Sequence, residues 1–287
     1  MTQQDPPWLL ATISAYTSQR RRNIIRATWQ TLYADPAFDT RFVIAQPSPL
    51  WLPLIKHEND TYGDLIVLDQ LNESAAVANT IKSIEFFKHL VARSAAQTPW
   101  KFVSKIDDDS FLSARRFYTD FLLPRLHPHP AATADDDDDD DASTGTLIAR
   151  RLRTRADRNF SAPGGQFYTL SWDLVRLVAA THTQNPITHL PEDVLIGRLL
   201  SDAHARFEFV ELDDRQAFDV DEQMQRVGME KEVLGEMDEA AVNPHKMKDD
   251  ESYLRVAGLF GRDGFVGEEV GSSAEFGDGK GDVGIDG

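Results

Sequence analysis

The chain contains no cysteine. That excludes disulfides, thiolate metal sites and a cysteine nucleophile, and leaves the redox compartment open. It has no run of about 18 apolar residues, so no stretch reads as a membrane-spanning helix. Residues 1–7 are polar and too short for a secretory signal. No Gly-rich loop with phosphate-loop or dinucleotide spacing follows the first apolar run, and neither a GxSxG elbow nor an HExxH helix occurs. No internal repeat is visible, which sets aside solenoids and propellers.

What remains is 287 residues, 41% of them apolar, enough for one large α/β domain or two small ones. The formal net charge of −17 is unevenly placed. Asp135 to Asp141 are consecutive aspartates, and residues 258–287 hold seven acids against Arg262 and Lys280. With those two segments set aside the balance is −5. A field of that sign repels phosphate, so general affinity for nucleic acid or an anionic membrane is disfavoured. Any phosphate ligand must be held by a local site or through a metal ion.

Short apolar runs alternate with amphipathic stretches. Strands are expected at 8–15, 41–46, 64–69, 101–106 and 166–170, with an edge strand at 207–212. Helices are expected at 18–33, 74–94, 114–123, 172–181 and 192–203. In the longest, Val77, Ile81, Ile84, Phe87 and Val91 form one helical stripe. This rhythm predicts a largely parallel sheet with helices on both faces. Residues 1–7, an acidic insertion at about 127–146, and a tail at 260–287 read as disordered. The domain itself spans 8–259.

The sharpest chemical feature is Lys105-Ile106-Asp107-Asp108-Asp109, directly after an apolar strand. In an extended chain Asp107 and Asp109 point to one side, where two carboxylates invite a hard divalent cation such as Mg²⁺ or Mn²⁺. The plainer account is a solvated acidic turn. Pro191-Glu192-Asp193 opens a helix, where acids suit the dipole, but one of them could also serve as a general base. Gly164 and Gly165 precede a strand and either make a turn or let a ligand approach. His245 is a candidate metal ligand or a surface histidine. Arg20, Arg21, Arg22 and Arg26 form a basic helix start, facing either solvent or a diphosphate.

Order and spacing bring these pieces together. Arg22 to Trp29 is similar to an RxxIRxTW element, and Glu58 with Tyr62-Gly63-Asp64 to an E…YGDI segment. Glu73 and Asn79 to Lys82 follow. Lys105 to Asp109 matches KxDDD, Gly164 to Ser171 is similar to GGxYxLS with one more residue before the tyrosine, and Glu192 to Gly197 matches EDVxxG. Together they resemble glycosyltransferase family 31, the β-1,3-galactosyltransferase and N-acetylglucosaminyltransferase group related to Fringe. Asn243 to Lys248 gives the resemblance a fungal-type cast.

The resemblance implies a single-domain α/β fold of GT-A type, Rossmann-like. It implies a UDP-sugar donor, a glycan acceptor, Mn²⁺ (or Mg²⁺), and inverting transfer of galactose or N-acetylglucosamine to a β-1,3 linkage. Asp107, Asp109 and His245 would hold the metal. Asp107, Asp108, Arg26, Lys82, Gly164 and Gly165 would serve the donor. Asp193 would be the base, with Glu192 in reserve. Family members work in the Golgi lumen behind a membrane anchor, and this chain shows neither signal nor anchor. The alternatives are a transferase-like nucleotide-binding protein without turnover and an acidic interaction protein acting through Asp135–Asp141.

Overall fold

A computed structural model describes residues 6–94, 100–127, 145–152, 161–220 and 237–267. The segments 1–5 and 268–287 and most of the acidic insertion, with Asp135–Asp141, lie outside the described residues.

Trp8–Ile13 forms β1, buried at every position. A run without polar alternation suits a strand covered on both faces. It lies inside a seven-stranded sheet with β2 (Phe38–Gln46), β3 (Leu65–Asn72), β4 (Phe102–Asp107), β5 (Gly145–Leu152), β6 (Ala162–Ser171) and β7 (Phe207–Glu211), in the order β3-β2-β1-β4-β6-β5-β7. The pairs β3–β2, β2–β1, β1–β4 and β5–β7 are parallel. β6 runs antiparallel to both β4 and β5. The sheet is mixed and mostly parallel, as expected.

Alternation along β1 divides the core. Trp8 and Leu10 face a layer containing Ile25, Trp29, Phe42 and Phe117, while Leu9 and Ala11 face Val43, Phe87, Val175 and Leu195. Helices therefore cover both faces: Gln19–Ile25 and its continuation on the first, Lys82–Arg93, Trp172–Gln184 and Glu192–Asp202 on the second. Trp8 is buried whole because its Nε1 donates to Ser104 Oγ at 2.7 Å. Among the described residues no helix is long and apolar enough to cross a membrane.

The structure departs from expectation in several places. Leu52–Tyr62 is a helix, with Pro53 in its first turn and Gly63 ending it at φ 65°. It carries no apolar stripe, since only Ile55 and Glu58 are buried. The expected helix 74–94 breaks into Ala75–Ala78, capped by Ser74, and Lys82–Arg93. The break leaves the Asn79 carbonyl to accept from Glu192 N at 2.9 Å. β5 begins at Gly145, inside the expected insertion. Phe260–Phe265, placed in the expected tail, is a small hairpin docked by Tyr33 Oη on the Gly261 carbonyl at 3.0 Å.

Candidate active site

β4 delivers Asp107 as its last residue, and the chain turns at once, Ser110 N donating to the Asp107 carbonyl at 3.1 Å. Asp109 is brought back by this turn rather than by strand alternation. Its carbonyl accepts from Met247 N at 3.0 Å. The far side is built by a two-stranded parallel pair, β8 (Ala217–Asp219) and β9 (Asn243–His245), in which Asp219 and His245 are register partners. Phe111 N donates to the Pro244 carbonyl at 3.0 Å and Asn243 Nδ2 to the Phe111 carbonyl at 2.8 Å, locking this pair onto the loop after β4. Arg21 ties down the next turn, donating to the Met247 carbonyl at 2.9 Å and the Lys248 carbonyl at 3.0 Å.

The result is a cluster. One ligand atom each from Asp107, Asp109 and His245 lie within 4.8 Å of one another. His245 Nε2 is 3.3 Å from Asp109 Oδ1 and 3.9 Å from Asp107 Oδ2. Its Nδ1 is 2.6 Å from Asp219 Oδ1, so the other ring nitrogen is aimed at the two carboxylates. Burial opposes charge on His245, but hydrogen bonds to Asp109 and Asp219 outweigh it and raise its pKa to about 9. Asp109 would be pushed up by burial, yet His245 and Lys248 hold it far below the usual carboxylate range. Lys248 Nζ, on a side chain 72% exposed, rests on Asp109 Oδ2. Oxygen donors with one imidazole, fixed by a second carboxylate, suit a divalent cation, and these residues could hold one.

Beside the cluster a cleft of about 710 Å³ is lined by Asp107, His245, Gly164, Gly165, Gln166 and Asp193, among others. Asp193 sits in the first turn of the helix Glu192–Asp202, its Oδ1 accepting from Val194 N at 2.7 Å. Gly197 presses that helix against the start of β6, where an added Cβ would meet the Ser161 carbonyl at 2.8 Å. Glycine at 165 faces the same turn: a Cβ there would lie 3.6 Å from Asp193 Oδ2.

Glu192 has a different place. It is buried, accepts a hydrogen bond from Tyr168 Oη, and faces Lys105 Nζ at 3.5 Å. Burial pushes its pKa up, with Lys105 pulling the other way. Lys105 also holds Asp107 Oδ1 at 2.6 Å and donates to the Gly165 carbonyl. A single buried ammonium therefore links the cation cluster, the glycine floor and the helix bearing Asp193.

The remaining sequence candidates lie elsewhere. Asp108 accepts from Ser14 Oγ at 3.1 Å, and burial together with Asp109 raises its pKa to about 6. Lys82 is buried on Glu73 at 2.8 Å and the Ser14 carbonyl at 2.8 Å. Arg26 is committed to Asp64, Glu58 and Asn23 and stacks 4.0 Å over Tyr62. Neither Arg26 nor Lys82 lines the cleft, and each is held in an ion pair. Arg22 is buried on Glu58 at 2.7 Å, and Arg20 pairs with Asp250 at 2.6 Å. Sequence reasoning missed Asp219, Gln166 and Lys248. Only Gln166 and Lys248 fell within a quoted motif, and neither was given a role.

A family model described as Galactosyltransferase matches residues 20–209. The chain belongs to the galactosyltransferase family. That membership makes it a glycosyltransferase. It also corrects the family statement: the Fringe-related, fungal-type placing in glycosyltransferase family 31 gives way to the family that the chain matches. Solved structures similar to the chain include two glycosyltransferases. One is galactosyltransferase LgtC in complex with donor and acceptor sugar analogues, at 10% identity and a TM-score of 0.45, covering 83% of this chain and 86% of that one. The other is a glycosyltransferase involved in glycosylation of the major capsid of PBCV-1, at 7% identity and a TM-score of 0.45, covering 86% and 96%. Likenesses of that degree carry no argument about chemistry. No curated protein matches the chain.

Proposed function

We propose that the protein is an inverting hexosyltransferase that moves galactose or N-acetylglucosamine from a UDP-sugar to a glycan hydroxyl. The observation that carries this reading is the convergence of the Asp107–Asp109–His245 cluster and Asp193 on one cleft. The family supports galactose.

Asp107, Asp109 and His245 would hold Mn²⁺ or Mg²⁺. When bound there, such a cation would supply positive charge to offset that growing on the departing diphosphate. Asp219 keeps Nε2 of His245 facing the carboxylates, and Lys105 occupies one oxygen of Asp107 so that the other turns inward. The donor sugar lies over Gly164 and Gly165, where side chains are missing. Asp193, half-buried on the cleft wall, takes the proton from the acceptor hydroxyl as its oxygen bonds to the anomeric carbon. The bond from that carbon to the diphosphate oxygen breaks in the same displacement, so the product is inverted. Glu192 is engaged by Tyr168 and Lys105, and it positions the turn that carries Asp193.

The test is UDP release from UDP-galactose and UDP-N-acetylglucosamine with Mn²⁺ and a panel of glycan acceptors. Asp193→Asn should lower transfer by roughly 10²- to 10⁴-fold while leaving metal-dependent UDP binding in place. Wild-type protein that releases no UDP under any of these conditions would remove the proposal.

A further inference from the structure

Among the described residues seven buried side-chain polar atoms have no hydrogen-bond partner, and Gln166 Nε2 alone belongs to a residue that lines the cleft. Gln166 is 7% exposed. It lies one residue beyond the last β4–β6 pair, Ile106 with Phe167, and so beside Asp107. Its backbone is pinned, the carbonyl accepting from Ser110 Oγ at 3.4 Å. The two preceding glycines leave the wall bare on either side. A Cβ at Gly164 would stand 3.6 Å from Gln166 Oε1, and one at Gly165 would stand 3.6 Å from Asp193 Oδ2. The glycine floor therefore runs between an uncommitted carboxamide and the proposed base.

We infer that Gln166 reads a hydroxyl of the donor hexose. This rests on the reading above, in which the diphosphate lies at Asp107, Asp109 and His245 and the acceptor at Asp193. The sugar is then the part of the substrate held between them, over the floor that Gln166 borders. A primary carboxamide offers two donors and an acceptor, which complements a hydroxyl that can both give and take. Torsion about its last bond is broad and roughly twofold, so the amide turns toward the cleft without moving the strand. A buried donor without a partner is costly, and a site made to bond a substrate hydroxyl penalises an analogue that lacks it or presents it wrongly. Gln166 is thus a determinant of which hexose is accepted, and it has no part in binding the nucleotide.

The experiment is calorimetric titration of full-length wild type, Gln166→Leu and Gln166→Met with UDP, UDP-galactose, UDP-N-acetylglucosamine and UDP-glucose, all with Mn²⁺. Both variants should bind UDP within about twofold of wild type. Their affinity for the preferred UDP-hexose should fall by about fivefold, the value of one hydrogen bond, and the preference among hexoses should shrink in step. Parallel weakening of UDP and UDP-hexose would make Gln166 a structural residue and overturn the inference. So would unchanged binding of all four ligands. Wild-type protein that binds none of them would overturn the reading of the metal cluster and this inference with it, and that result is seen before any variant is made.

Discussion

Asp219 touches no reacting atom, yet its removal should be felt at the cation. Its Oδ1 holds His245 Nδ1 at 2.6 Å, and its Oδ2 holds Lys246 Nζ at 2.9 Å. Carboxylates that orient a ligating histidine are worth about 10- to 100-fold in metal affinity, or roughly 1.4 to 2.7 kcal/mol. Asp219→Asn keeps an acceptor for Nδ1 and should lose about tenfold, while Asp219→Ala frees the ring and should lose nearer a hundredfold. Titration with Mn²⁺, followed by calorimetry or by the spin resonance of the free ion, reads both. The same experiment across pH tests the cause. A proton and a cation compete for Nε2 of His245, so wild-type affinity should climb until pH about 9. In Asp219→Asn the proton is held less well, and the climb should end at lower pH. Stability of the metal-free protein runs the opposite way. Folding raises His245 from 6.5 to about 9, so its contribution is complete below the lower value and disappears as pH rises through the higher one. Metal affinity that is identical in wild type and both variants, at every pH, would refute the reasoning.

Lys248 rests on Asp109 where a cation would bind, on a side chain 72% exposed. Such a pair is weak, so Lys248→Met should tighten Mn²⁺ binding by only about two- to fivefold, measured without nucleotide. Arg22 and Glu58 are fully enclosed, with two bonds of 2.7 and 2.8 Å between them. Arg22→Met leaves the buried Glu58 carboxylate with Arg26 as its remaining cation and should cost about 1.5–3 kcal/mol, visible as a melting temperature lower by roughly 5 °C. Gly197→Ala places a methyl group 2.8 Å from the Ser161 carbonyl. It should cost about 1–3 kcal/mol in denaturant titration, and should slow transfer as well, because the helix that moves carries Asp193.

The sheet was legible wherever burial leaves a mark on composition. Trp8–Ile13 is apolar throughout because both its faces are covered, and the stripe through Ile84 and Phe87 predicts their burial. The helix Leu52–Tyr62 left no such mark, because Leu52 and Leu54 are about half exposed and one isoleucine anchors it. Its proline and terminal glycine were the readable signal. Asp107 and Asp109 do gather, though by a turn and a hydrogen bond from Met247 rather than by strand geometry. Asp219 could not be found from sequence. It lies 26 residues from His245, on a three-residue strand too short to show a pattern. Gln166 differs from its neighbours only in having an amide with no partner, which is a property of packing.

The cation cluster draws its first carboxylates from the middle of the chain and its imidazole from β9, which the loop after β4 holds in place. During synthesis, therefore, the sheet from β1 to β7 can assemble while the ion-holding site is still one arm short. The growing polypeptide stays without its metal grip until residues 243–248 have left the ribosome and settled against Asp219. Unfinished copies of the enzyme would have a recognisable body and no means of steadying a leaving diphosphate.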